Sequence, residues 1–289
     1  MKSPRFWLLT SLALIVCHTS YASQIQEPLS AEWLAEDYKS IELIPLLASP
    51  TPLTVQRIRD ILGVGDDGEE EDLGFGASTF DIAKCHGYTT LYVEGFVFRG
   101  TIGFYKVGVR ASRERWPRIR KHVIDLWKQN HGPDFTESDD GLIHTETSDD
   151  VFLRYKSAVT AELGEMKSAE IPDELKKSFD YLTSPIANRA FGDRDGEIAI
   201  SALVQAQRVD LIENVLRGFN PSGRVYAALA LLKLSKKNEL VLSANTISTI
   251  AKVSNLDIAI RTVSGCIVSS RTANEIINEP DNSEPQTFE

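Results

Sequence analysis

Apolar and polar positions change register several times along the chain, and each change marks an element. Trp33, Leu34 and Tyr38 give Ala31 to Leu47 helical character, which Pro45, Pro50 and Pro52 break, so residues 23 to 52 form a lead-in. Val55, Ile58, Ile61 and Leu62 share one face of a short helix over Thr54 to Leu62, stopped by Gly63. Gly65 to Asp72 sets six acidic residues among glycines and predicts a solvated loop. Ser78 with Asp81 three residues later has the form of an acidic capping box, predicting a helix that ends at Gly87.

From Leu91 to Ala111 the spacing shortens to that of strands. Leu91, Val93, Phe96, Phe98, Ile102, Phe104, Tyr105, Val107 and Val109 predict two antiparallel strands turning at Arg99-Gly100. Trp116, Ile119, Val123 and Trp127 then lie on one face of a helix with Pro117 in its first turn, ended by His131-Gly132-Pro133. A second hairpin is predicted from Leu142 to Thr147 and Val151 to Tyr155, turning at Ser148-Asp149-Asp150. Together these make residues 53 to 163 an α+β module, a small antiparallel sheet with helices on one face.

After Gly164 helical spacing takes over. Asp173 to Leu182 is one helix, and further helices follow from Gly196 at short intervals. Ile212, Val215, Leu216 and Phe219 sit behind an Asp210 cap, with Gly218 near the end. Val225, Ala228, Leu229 and Leu232 come next, then Ile247, Ile250 and Ala251, and last Ile260, Val263 and Ile267. Residues 279 to 289 are acidic, carry two prolines and predict a disordered tail.

Within this run, Arg224-Val225-Tyr226-Ala227-Ala228-Leu229-Ala230-Leu231-Leu232-Lys233-Leu234, preceded by Pro221, resembles the first helix of a HEAT-type repeat. The resemblance covers at most residues 190 to 278 and implies an all-α HEAT-like array over residues 164 to 278. The spacing from Ile198 to Val225 to Ile247 is nearer that of single helices with loops than the repeat period of roughly 40 residues, so a short irregular array remains open beside true repeats.

Composition adds a compartment. Lys2 and Arg5, the apolar run Phe6 to Cys17 and Ser20-Tyr21-Ala22 have the order of a cleavable signal peptide over residues 1 to 22, with Ser23 as the new N-terminus. The apolar run is shorter than the roughly 20 residues that span a bilayer. The expectation is an exported protein, periplasmic or extracellular, with no membrane span in the mature chain. Cleavage lowers the basic count from 31 to 29 against 41 acidic residues, a net charge of −12, which argues against nucleic acid as a partner.

Cleavage also leaves two cysteines, Cys85 and Cys266. In an oxidising compartment a disulfide between them is one reading and two separately buried thiols the other.

Catalytic patterns are scarce. Cys85-His86 suggests a nucleophile or a metal site, but the predicted helix puts Cys85 at a C-terminus, where the dipole opposes a thiolate. His86, His122, His131 and His144 have no ligand spacing. Asp193-Arg194-Asp195-Gly196 echoes a calcium loop whose first and twelfth positions, Phe191 and Ala202, are wrong; Asp195 is better read as a helix cap. Neither a metal nor another cofactor is expected.

One charge asymmetry stands out. Arg110, Arg113, Arg115, Arg118, Arg120 and Lys121 face only Glu114 and suggest docking of an anionic partner, or simply the wet side of an amphipathic helix. The leading expectation is a protein-binding adaptor or inhibitor without catalysis of its own. The alternative is an envelope hydrolase with a site between the modules, built on Cys85, His131 or His144.

Overall fold

The computed structural model describes residues 30–47, 53–65, 69–112, 116–131, 135–138, 141–185, 190–264 and 267–279. The proposed signal peptide and residues 280–289 of the tail lie outside them, as does Cys266.

Two short helices lead in, α1 (Ala31–Ile41) and α2 (Ile44–Leu47), followed by α3 (Val55–Leu62). The Thr54 side chain caps α3 by accepting from the Arg57 N–H, and Gly63 ends it. Four strands follow, β1 (Glu69–Gly74), β2 (Ala77–His86), β3 (Thr89–Phe98) and β4 (Thr101–Ala111), then α4 (Trp116–His131), β5 (Thr136–Ser138) and β6 (Gly141–Thr147). They form one antiparallel sheet in the order β1-β2-β3-β4-β6-β5.

This corrects three expectations. Residues 69–74 are an edge strand rather than a loop, and its charged side chains suit an edge that must not pair further. The supposed helix from Ser78 is the strand β2, because Phe80 and Ile82 alternate into the core, two residues apart. The supposed strand Val151 to Tyr155 opens the helix α5 (Asp149–Leu163), with Ser148 at its N-cap and two aspartates in its first turn. Val151, Tyr155, Val159 and Leu163, four apart, are its buried stripe.

Helices cover both faces of the sheet, not one. On the first face, Phe80, Ile82, Leu91, Val93, Val107 and Leu142 meet Leu47, Ile58, Leu62, Trp116, Ile119, Val123 and Trp127 from α2, α3 and α4. On the other face, α5 covers only the end where Phe96 and Phe98 lie. That second core continues past Gly164 into α6 (Asp173–Thr183), α7 (Arg194–Gln205), α8 (Val209–Leu216), α9 (Pro221–Lys236) and α10 (Ala244–Ser254). Each fully buried Leu, Ile, Val or Phe there contributes about 1.5–3 kcal/mol by leaving water.

Pro221 opens α9 at its first turn, and the Asn220 side chain caps it by accepting from the Ser222 and Gly223 N–H groups. The cap of α7 is Asp193 rather than Asp195: its carboxylate accepts from the Gly196 N–H at 2.6 Å and from the Tyr181 hydroxyl at 3.0 Å. Arg208, not Asp210, occupies the N-cap of α8.

The C-terminal part is not all-α. Ile260, Val263 and Ile267 belong to a hairpin, β7 (Ala259–Ser264) and β8 (Ile267–Thr272), before the closing helix α11 (Ala273–Ile277). Ile260 and Thr262 are buried while Arg261 and Val263 are less so, the alternation of a strand. Among the described residues no helix is long and apolar enough to cross a membrane.

Candidate functional site

The residues singled out in the sequence are dispersed. Arg110 lies on the sheet face opposite α4, its guanidinium 4.6 Å from the centre of the Tyr92 ring. Arg118, Arg120 and Lys121 lie on the exposed side of α4. Arg120 pairs with Glu137, and Lys121 with Asp125. Arg113 and Arg115 lie outside the described residues.

Cys85 is exposed on β2, its sulfur 3.4 Å from the Thr90 hydroxyl, and Cys266 is not described. Cys85 is therefore on a strand, not at a helix C-terminus. His144 is buried on β6 under Trp127, with Nε2 3.3 Å from Glu146 Oε1. Strand register puts Cys85, beside Thr90, on one face of the sheet and His144, in line with Val107 and Val93, on the other. The two do not meet across the sheet. His122 stacks edge-on against Tyr38. Nothing is described of the side chains of His86 and His131. No group of three or more His, Cys, Asp or Glu side chains able to hold a metal ion occurs among the described residues.

Chemistry that the sequence did not advertise concentrates at the hairpin-tip end of the sheet. Two tips lie side by side there, with the Arg99 N–H donating to the Gly76 carbonyl at 2.8 Å. Both hold a non-glycine residue in the left-handed region, Phe75 at φ 60° and Arg99 at φ 49°. Such positions are strained and persist only where their surroundings fix them.

The surroundings are aromatic. Tyr155 of α5 lies 5.2 Å from Phe96, 5.8 Å from Phe98 and 5.7 Å from Phe219. Helix α5 comes this close because Gly103 of β4 has no side chain: a Cβ there would sit 2.7 Å from Val151 Cγ1. The Ser148 N–H also bonds to the Gly103 carbonyl at 2.6 Å, which fixes where α5 starts.

Beneath this cluster sits Arg224, fully buried. Its guanidinium donates to the carbonyls of Gly218, Leu73 and Phe219 at 2.8, 3.0 and 3.2 Å and to the Tyr155 hydroxyl at 3.3 Å. It also stacks 5.1 Å from the Phe75 ring centre. Burial pushes the Tyr155 phenol up from its usual value, so it stays neutral, bonding to the Phe219 carbonyl at 3.1 Å. A small cavity beside it, lined in part by Glu71, Asp72, Asn220 and Arg261, has about 20 Å³, room for one water.

On the outer side of the same end runs an open groove of about 410 Å³, lined by Phe98, Arg99, Leu153, Arg154, Ser157 and Ala158. Leu153 falls off the buried stripe of α5 and is 57% exposed. The Arg99 guanidinium lies 5.0 Å from the Phe98 ring centre, and Arg154 Nε is 3.2 Å from Asp150 Oδ2. The groove thus brings an exposed leucine and two guanidiniums to one surface. Arg99 and Arg154 escape a sequence reading because they stand in separate elements. The available signals were an arginine where the tight turn favours Asn or Gly, and a leucine outside the four-residue stripe.

Compared with known proteins, the chain matches no family model, no curated protein and no solved structure.

Proposed function

We propose that this chain is an exported protein-binding module, an adaptor or inhibitor that works without chemistry of its own, and that its partner docks at the groove between the β3–β4 turn and α5. The observation that carries the reading is an open groove of about 410 Å³ lined by the exposed Leu153 together with Arg99 and Arg154. Arginine is enriched among the few interface residues that carry most of the binding energy, and an exposed leucine beside it adds apolar area to bury. The helices α6 to α10 are read as a short HEAT-like array that backs this face, with Pro221 and the small residues Ala227 and Ala228 letting neighbouring helices approach. Export follows from the order of charge, apolar run and small residues over residues 1 to 22.

The test is site-specific photocrosslinking in the producing cells. A benzophenone amino acid at position 153 should give a defined adduct with one partner, while the same group at Val241, 95% exposed between α9 and α10, should not. Equal adducts from both positions, or none from 153, would remove the groove from consideration. N-terminal sequencing of the exported chain should begin at Ser23.

A further inference from the structure

We infer that the groove's occupant is a short acidic segment of a partner protein carrying one bulky apolar anchor, an inference that rests on reading the groove as the docking site. Six residues line the groove, a short stretch of contact rather than the roughly 20–30 residues a side of a broad interface. The apolar lining residues Phe98, Leu153 and Ala158 set the anchor's character as aliphatic or aromatic. The walls set the charge. Arg99, from the β3–β4 turn, and Arg154, from α5, both line the groove, in a chain whose net charge is −10.

The two guanidiniums are differently prepared. Arg99 is partly ordered before any ligand arrives: its backbone is tied to the Gly76 carbonyl and its guanidinium lies against the Phe98 ring. Little rotamer freedom is then lost when it meets a carboxylate. Arg154 pairs with Asp150 on the surface, both side chains at least half exposed at 51% and 80%. An exposed pair of that kind is worth little, so an incoming carboxylate, gripped in the two-pronged geometry arginine favours, can take Asp150's place. Asp149 and Asp150 at the start of α5 are the acidic groups nearest in sequence on that helix.

A long polyanion is disfavoured by the same charge balance. Nucleic acid or an anionic membrane would confront the whole surface of a net-acidic chain. A short acidic segment interacts mainly within one screening length, about 8 Å at physiological salt, and so experiences the two arginines more than the rest.

The experiment is selection of a random-peptide library displayed on phage against residues 23–289. Recovered peptides are synthesised with a fluorescent label and titrated by anisotropy against the unaltered chain, R99E/R154E and L153D. All three positions are solvent-accessible, and circular dichroism with a thermal melt shows that each variant is folded. R99Q/R154Q serves if charge reversal disturbs the fold. The expected result is enrichment of Asp or Glu beside Leu, Phe or Trp, with binding weakened at least about tenfold by R99E/R154E and by L153D. Peptides without acidic residues that still require Leu153 would overturn the acidic occupant while leaving the groove as a docking site. Peptides indifferent to both variants, or a library that yields none, would overturn both.

Discussion

Arg224 Nη1 donates to the Leu73 carbonyl across 3.0 Å, although 151 positions separate the two residues in the chain. The bond ties the edge strand β1 to α9, and the rest of the same guanidinium holds the Gly218 and Phe219 carbonyls and the Tyr155 hydroxyl. One side chain therefore joins the sheet, α5 and the turn between α8 and α9.

Removing it takes the Arg224 donor from the buried Gly218 and Leu73 carbonyls, while the Phe219 carbonyl keeps the Tyr155 hydroxyl. Each buried acceptor left without a donor costs about 1–3 kcal/mol, and the costs are not simply additive. Arg224→Met, which keeps the length of the stem, should lower the unfolding free energy by about 3 kcal/mol or more in urea titrations. Arg224→Lys should recover only part of it, because an ammonium cannot reach acceptors spread around a planar fork. Tyr155→Phe should cost about 1 kcal/mol, the worth of an ordinary hydrogen bond. A loss under 1 kcal/mol for Arg224→Met would mean that the carbonyls find other donors.

A second tie holds α1 to the sheet. The Asp37 carboxylate is fully buried, and its Oδ1 accepts from the Tyr88 N–H, the Thr89 N–H and the Thr89 hydroxyl at 2.7 to 2.9 Å. The approach depends on Gly87, at φ +54°, where a Cβ would run into the Trp33 carbonyl oxygen and Asp37 Oδ1. Gly87→Ala should expel α1, and Asp37→Ala should loosen it. In both variants limited proteolysis should cut within residues 31–41 well before the sheet, whereas the unaltered chain should resist there. Cleavage rates in α1 equal to those of the unaltered chain would show that neither residue anchors it.

The places where the sequence was readable share a physical cause. The turn at Arg99-Gly100 and the strands on either side were legible because Leu91, Val93, Val107 and Val109 are large residues alternating with small or polar ones. Helices α4, α6, α8 and α9 were legible because three or more large apolar residues repeat at helical spacing. Where inward-facing residues were few, a local cue won instead. Ser78 and Asp81 imitate a cap, and only Phe80 and Ile82 contradict it. At Ile260, Val263 and Ile267 the spacing of three and four suits a helix, yet Ile267 is 69% exposed and the informative pair is Ile260 with Thr262. The site was harder still. Arg99 and Arg154 line one groove because Gly103 admits Val151 of α5 onto β4, a contact between residues 48 positions apart that no short window contains.

Acid should weaken the C-terminal helices through Glu213. Burial works against its charge, but hydrogen bonds from the Thr246 hydroxyl and from Lys167 outweigh that and hold its carboxyl below the usual 4.5. A carboxyl with a lowered folded value adds stability above its unfolded value, and that contribution disappears as pH falls through the folded one. Glu213→Gln should therefore be less stable than the unaltered chain near neutral pH, by about 1 kcal/mol. The gap should close as the pH drops below 4.5. Thermal melts of both chains across that interval would show it, and a gap independent of pH would mean that the charge on Glu213 is not what matters.

Arg99 should reveal a conflict between stability and binding. Its φ of 49° is a conformation that costs most L-residues about 1–2 kcal/mol, while Asn tolerates it and Asn-Gly is a favoured pair for a two-residue turn of this hand. The stacking of Arg99 on Phe98 returns about 0.5–1 kcal/mol, so a bare comparison of Arg99→Asn with the unaltered chain mixes two effects. Arg99→Gln separates them, because it loses the cation just as Asn does but keeps the unfavourable backbone. Arg99→Asn should be more stable than Arg99→Gln by about 1 kcal/mol in urea titrations. Both should give less of the crosslinked adduct from position 153 than the unaltered chain. Arg99→Lys should keep more of the adduct and gain no stability. If Asn and Gln prove equally stable, the turn stores no strain, and the arginine stands there without cost to the fold.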